Sequence, residues 1–180
     1  MDRLGIIRKV KDKLAANRIN WIKPKFVKEL ASYYEKPETM QALREKGLLF
    51  TSDMELVNFL VKGKLTSVKD EELKEKGKNI TIDPEDFDEK VVTNQNLSPS
   101  YKHLEKSLFE KDLNIEAPIL IKFSDGTYWG FSGNRRANLA RKNKLSILYW
   151  VIDQKKVLKD KEDKEKRLQK EEEKNPSGVY

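Results

Sequence analysis

The stretch Ser132-Gly-Asn-Arg-Arg-Ala-Asn-Leu-Ala-Arg141 decides the fold, because a glycine followed by two arginines stands where one pattern of hydrophobicity gives way to another. Before it, Ala117-Pro-Ile-Leu-Ile-Lys-Phe123 and Thr127-Tyr-Trp-Gly-Phe131 flank Ser124-Asp-Gly126, which predicts two short strands joined by a tight turn. After Arg136 the spacing becomes helical. Ala137 and Ala140 are small enough to lie close against a sheet, Arg141 and Lys142 are expected to point to water, and Asn143-Lys144 ends the helix. Leu145 to Ile152 then reads as a buried strand. A helix start carries free N–H groups and the positive end of the macrodipole. Ser132, Gly133, Asn134, Arg135 and Arg136 are therefore the candidate phosphate-binding residues, with the two guanidinium groups able to add charge-assisted bonds.

This order of parts resembles the ParB/sulfiredoxin-like superfamily, in which a proline-led strand, a short hairpin, a G-x-R-R or G-x-H-R box opening a helix, and a hydrophobic strand follow one another. Here the matching parts are Pro118, Asp125-Gly126, Gly133-Asn-Arg-Arg136 and Ile147 to Ile152, preceded by Leu97-Ser-Pro-Ser100 and a helical Tyr101 to Phe109. The resemblance spans roughly residues 80 to 153, under half of the chain. It implies an α+β domain and a nucleotide or nucleic-acid phosphate at the box. It also implies a DNA-related role of the kind small free-standing relatives have in phages and mobile elements. Relatives include nucleotide-hydrolysing proteins, nucleases and small-molecule kinases, so a nucleotide-dependent enzyme is the alternative, with a nucleoside triphosphate and Mg2+ as the implied cofactors. Sulfiredoxins carry a nucleophilic cysteine inside the box; this chain has no cysteine, and Asn134 stands at that place, so sulfinic-acid reduction is excluded. From Ile152 the chain runs only to Tyr180, so a complete partitioning clamp with further DNA-binding and dimerisation domains is not expected.

The chain has 180 residues, a formal net charge of +7, and 37% charged against 37% hydrophobic residues, enough for one ordinary core with charged appendages. The absence of cysteine removes disulfides, thiolate metal sites and cysteine nucleophiles and fits a cytoplasmic location. No Walker-type or G-x-G-x-x-G sequence is present, no long apolar run predicts a membrane span, and the first residues lack the apolar core of a secretory signal. Oligomeric state is not legible.

Three zones are expected: a helical region over residues 1–78, the ParB-like domain over 79–154, and a charged helix or tail over 155–180. In the first, Leu4, Ile7, Val10 and Leu14 keep helical spacing and Pro24 opens a helix reaching Tyr34. Pro37 breaks the chain before Glu38 to Arg44, Ser52-Asp-Met-Glu55 reads as a capping box, and Gly47, Gly63 and Gly77 stand as helix stops. A helix-turn-helix DNA reader could hide among these helices, though no clean recognition helix is visible. Ile80 to Asp83 is expected as the first strand of the second zone. The acids after Pro84 are open to two readings: first-turn charges complementing a helix dipole, or, at Glu85, Asp86, Asp88 or Glu89, a general base or ligands of a magnesium-bound nucleotide, with Glu85 and Asp86 the catalytic candidates. No resident metal site is expected.

Arg141, Lys142 and Lys144 are the candidate nucleic-acid contacts, a basic surface continuing from the box along its helix. The solitary His103 has no visible catalytic companions. Tyr128 or Trp129 is the candidate for stacking on a base, while most of the aromatic residues on the strands are expected in the core. Beyond Lys155, acids and bases four apart predict a solvated helix without a coiled-coil seam.

Overall fold

In the computed structural model, residues 20–82, 114–142 and 144–174 are described. The Leu4–Leu14 helix, the acidic run with Glu85 and Asp86, the Leu97–Phe109 segment with His103, the Asn143 helix stop and the Lys142 side chain lie outside the described residues.

The predicted hairpin is the centre of the molecule. Strands β5 (Ile119–Lys122) and β6 (Tyr128–Ser132) pair antiparallel across Asp125-Gly126. Gly126 takes φ 88°, a left-handed conformation that costs glycine little, and its N–H donates to Phe123 O at 3.0 Å. Asp125 Oδ1 accepts from Thr127 N at 3.0 Å, and its other oxygen meets Lys46 Nζ at 2.5 Å. Helix α5 (Asn134–Lys142) leaves β6 and returns the chain to β7 (Tyr149–Asp153), which lies parallel to β5 on the side away from β6. The helix ends with Lys144 in a left-handed conformation (φ 56°), where Lys144 N donates to Arg141 O and Leu145 N to Ala140 O, both at 2.9 Å. Those two bonds form a Schellman motif, which satisfies carbonyls the helix would otherwise leave open. Residues 145–148 are irregular, so the expected strand starts four residues later than the apolar run does.

The region over residues 20–78 does not stand apart as a helical domain. It supplies α1 (Val27–Glu35), α2 (Pro37–Glu45), α3 (Asp53–Leu60) and α4 (Asp70–Lys76), but also β1 (Asn20–Ile22), β2 (Lys64–Thr66) and β3 (Gly77–Lys78). The five-stranded sheet runs β2-β7-β5-β6-β3, with both edges taken from this region. A two-stranded parallel sheet joins β1 to β4 (Asn114–Glu116). One continuous core accordingly contains Tyr33, Leu43, Leu56 and Leu60 from the helices together with Ile119, Ile121, Phe131 and Ile152 from the strands. Alternation along β5 and β7 sends Leu120 and Tyr149 to the opposite face, where they meet Leu73 of α4 and Ala137 of α5. The small side chains of Ala137 and Ala140 are both buried, as their spacing predicts.

Local starts and stops differ from expectation in informative ways. The helix expected from Pro24 begins at Val27, because Phe26 adopts φ 64° and turns its ring onto Trp150, 6.2 Å between centroids. Pro37 is the first residue of α2 rather than a breaker before it, the position where a missing N–H costs nothing. The capping box at α3 is displaced: Ser52 Oγ accepts from Glu55 N at 3.3 Å, while Glu55 reaches back to Thr51 N at 2.8 Å. Gly47 closes α2 at φ 82°. Ile80 to Ile82 is irregular, because Asn79 at φ 56° ends β3 after two residues and ties itself to β6 through Nδ2 and Gly130 O at 2.7 Å. The charged segment after β7 is α6 (Gln154–Lys174), exposed along its length beyond Val157.

Candidate functional site

A cleft of about 550 Å³ opens where β6 turns into α5. Its floor is Gly130 to Ser132, one wall is the start of α5 from Gly133 to Arg136, and the other wall is α1, through Lys28, Glu29 and Ser32. Glu35, Lys36 and Asn79 complete the rim. The structure thus brings all five candidate phosphate residues, Ser132 through Arg136, to one concavity.

Gly133 makes the junction sterically possible. Its φ is 93°, and a Cβ there would lie 2.7 Å from Pro118 Cα and 2.7 Å from Arg136 Nη2. The first bond of the helix runs from Ala137 N to Gly133 O at 3.1 Å, which leaves the N–H groups of Asn134, Arg135 and Arg136 ahead of the intrahelical ladder. Asn134 is partly committed to the fold, since its Nδ2 donates to Asn79 O at 3.1 Å.

The two arginines of the box differ sharply. Arg135 is exposed. Arg136 is only 8% exposed, and its Nε is buried with no hydrogen-bond partner. Among the described residues the ion pairs are Lys46–Asp125 and Arg141–Asp70, so Arg136 is held without one. Burial accordingly pushes its guanidinium below the ordinary arginine value, and the charges of Glu29 and Glu116 only partly offset this. Glu29 is itself 3% exposed and accepts from Ser132 Oγ at 3.3 Å. Glu116 is occupied by Lys25 N at 2.6 Å. Among the described residues the cleft therefore contains a buried cation without a salt bridge, a buried carboxylate and helix N–H groups ahead of the intrahelical ladder. That set suits a ligand with an anionic group and a hydrogen-bond donor.

Arg141 does not extend this site as a basic surface. Its side chain is 6% exposed and turns inward, with Nε 3.1 Å from Asp70 Oδ1, Nη1 2.8 Å from Asn138 Oδ1, and Nη2 bonded to Tyr149 OH. Ala137, on the same face, is drawn against the sheet, and the long side chain beside it finds acceptors there rather than in water. Of the three expected nucleic-acid contacts, only Lys144 is a described exposed side chain. Tyr128 and Trp129 also face elsewhere, and neither lines the cleft. Tyr128 is buried on the smaller core with its OH donating to Glu72 Oε1 at 2.9 Å; burial first, then Glu72, pushes its hydroxyl up to about 12. Trp129 packs against the main core.

Glu29 escaped the sequence reading, although a signal was present. It falls on the same face as Phe26, Leu30 and Tyr33, so an acid interrupts an apolar stripe at helical spacing. Among the described residues no cluster of His, Cys, Asp or Glu is arranged to hold a metal, and no helix is long and apolar enough to cross a membrane. Compared with protein-family models, with curated proteins and with solved structures, the chain matches none.

Proposed function

We propose that this protein binds a phosphate-bearing ligand, a nucleotide or a nucleic-acid phosphate, in the cleft between α1 and the start of α5. On this reading it serves a DNA-related process through a ParB-like domain. The process rests on the resemblance carried by Pro118, the Asp125-Gly126 hairpin and the Gly133-Asn-Arg-Arg136 box. The anion site rests on one observation above all: Arg136 is more than nine-tenths buried, has no partner at Nε, and lines the cleft that the helix start also lines. A buried unpaired charge costs several kcal/mol, and an anion in the cleft would remove that cost while accepting from the backbone N–H groups.

The test is calorimetric titration of the protein and of Arg136→Met with inorganic pyrophosphate and a panel of nucleoside triphosphates. Methionine preserves most of the buried volume without the charge. Binding by the parent and a loss of roughly tenfold or more in the variant are expected, corresponding to one charge-assisted contact. Equal affinity in a folded variant overturns the site.

The buried Glu29 favours a second reading, a nucleotide-dependent enzyme, because a carboxylate within an anion cleft is a candidate proton acceptor. Under that reading, incubation with nucleoside triphosphates and Mg2+ gives turnover that Glu29→Gln abolishes while pyrophosphate binding persists. Turnover that instead requires Glu85 or Asp86 assigns the chemistry to the acidic run.

A further inference from the structure

A second concavity, sharing no residue with the first, lies at the other end of β6. It measures about 210 Å³ and is built from six elements, with Lys62 just after α3, Lys64 on β2, Lys122 ending β5 and Lys156 in the first turn of α6. Two carboxylates also line it, but both are engaged. Asp153 Oδ1 accepts from Lys155 N at 3.1 Å and Lys156 N at 3.4 Å, capping α6, and Glu72 accepts from Tyr128 OH. Among the described residues none of the four lysines has an ion pair.

Their convergence is enforced by the backbone. β2 pairs antiparallel with β7 so that Lys64 stands opposite Val151, and α6 follows β7 without a linker, which returns Lys156 over the same strand pair. Lys64 and Lys156 are close enough to interact directly, and the second ammonium depresses the first below the ordinary lysine value, against the opposing charge of Asp160. Lys122 Nζ is turned inward, 5.7 Å from the centre of the Tyr128 ring. Lysines carry their charge on flexible stems; here the backbone brings four of them to the rim of one hollow, where they outnumber its two carboxylates.

We propose that this hollow is a second anion site, which takes a phosphate group bearing at least two negative charges or the successive phosphates of a polymer. Each ammonium offers three donors and no acceptor, so a multiply charged oxyanion with several acceptors on each phosphorus is the complementary chemistry. The site is independent of the cleft at Arg136 and does not rest on the function proposed above.

The experiment compares Arg136→Met with the triple variant Arg136→Met/Lys64→Gln/Lys156→Gln, so that the cleft is weakened equally in both. Pyrophosphate should bind the first and bind the second at least tenfold more weakly. Without pyrophosphate, the triple variant should melt at the same temperature or higher, since like charges have been removed. Equal pyrophosphate affinity, no binding to Arg136→Met, or a lower melting temperature in the triple variant would overturn the site and leave the Arg136 proposal untouched. Should Arg136→Met fail to fold, side-chain NMR of Lys64 and Lys156 in the otherwise unaltered chain gives the same answer: both ammoniums should shift on pyrophosphate addition, and unshifted signals reject the proposal. A single-stranded DNA oligonucleotide then identifies the source. Parallel loss of oligonucleotide and pyrophosphate binding points to a polymer backbone, and loss of pyrophosphate binding alone points to a small phosphate.

Discussion

Helix α5 turns two arginine side chains inward, five residues apart, and the fold treats them oppositely. At its end, Arg141 bonds through all three of its nitrogens, to Asp70, Asn138, Tyr149 and the Thr81 carbonyl. At its start, Arg136 is as deeply buried but has an unpartnered Nε and an open cleft beside it. Burial alone would class them together. The census of acceptors separates an arginine that holds the structure from one that the structure holds for a ligand.

The strongest way to break the comparison is to collapse the wall that positions Arg136. Gly133→Val forces a β-branched residue to φ 93° and drives its Cβ into Pro118, so a loss of about 3–5 kcal/mol in denaturant unfolding is expected from strain and overpacking together. Ligand binding should be lost with it, because the side chain would crowd the helix start where the anion is expected. A variant as stable as the parent would mean that the junction is not built this way.

Arg141→Met should come next, at about 1–3 kcal/mol, because it strands Asn138 and the Tyr149 hydroxyl. Asp70 is 43% exposed and remains partly solvated, which keeps the figure below that of a fully buried pair. Arg136→Met should leave the ligand-free protein as stable as the parent or more stable, by up to about 1–4 kcal/mol, since relief of the desolvation cost outweighs the small loss of packing. If thermal unfolding puts Arg136→Met below Arg141→Met, the distinction between the two arginines is wrong.

Tyrosine titration sharpens the same contrast. Burial raises Tyr149 to about 12, against the lowering effect of Arg141, and Tyr128 also lies near 12. Both hydroxyls are favoured neutral in the folded state. Their contribution to stability is therefore complete below the unfolded value of 10 and is lost as pH rises from 10 toward 12. Ultraviolet titration of Arg141→Met should find Tyr149 ionising at still higher pH, whereas Arg136→Met should leave it in place. The smallest effect belongs to Arg135→Ala: the side chain is exposed, so stability should change by less than about 0.5 kcal/mol, and any loss should appear in ligand affinity.

What was legible in the sequence were features decided locally. The hairpin followed from Asp125-Gly126 between apolar runs, the strand-to-helix junction from Gly133, and the approach of Ala137 and Ala140 from their size and spacing. What was not legible depended on partners remote in the chain. β1, β2 and β3 are two or three residues long and have no periodicity of their own; they exist because β4, β7 and β6 pair with them. The inward turn of Arg141 required Asp70 and Tyr149 to be known as neighbours. The candidate site was legible along the box but not across the cleft, because Glu29 lies more than a hundred residues away and is read as an ordinary helix acid until the sheet brings it to Ser132.

The order β2-β7-β5-β6-β3 has a consequence for how the chain can be cut and made. A fragment starting at residue 79 would contain the hairpin, the box and β7, yet would leave β7 and β6 as bare edges with their ladders open to any passing strand. Such a fragment is expected to aggregate when expressed, despite containing everything the box requires. During synthesis β3 must wait for β6, and β2 must wait longer, for β7, whose last residue is Asp153, before the sheet can close. The protein therefore gains its cooperative stability late, through contacts that join the beginning of the described chain to its end.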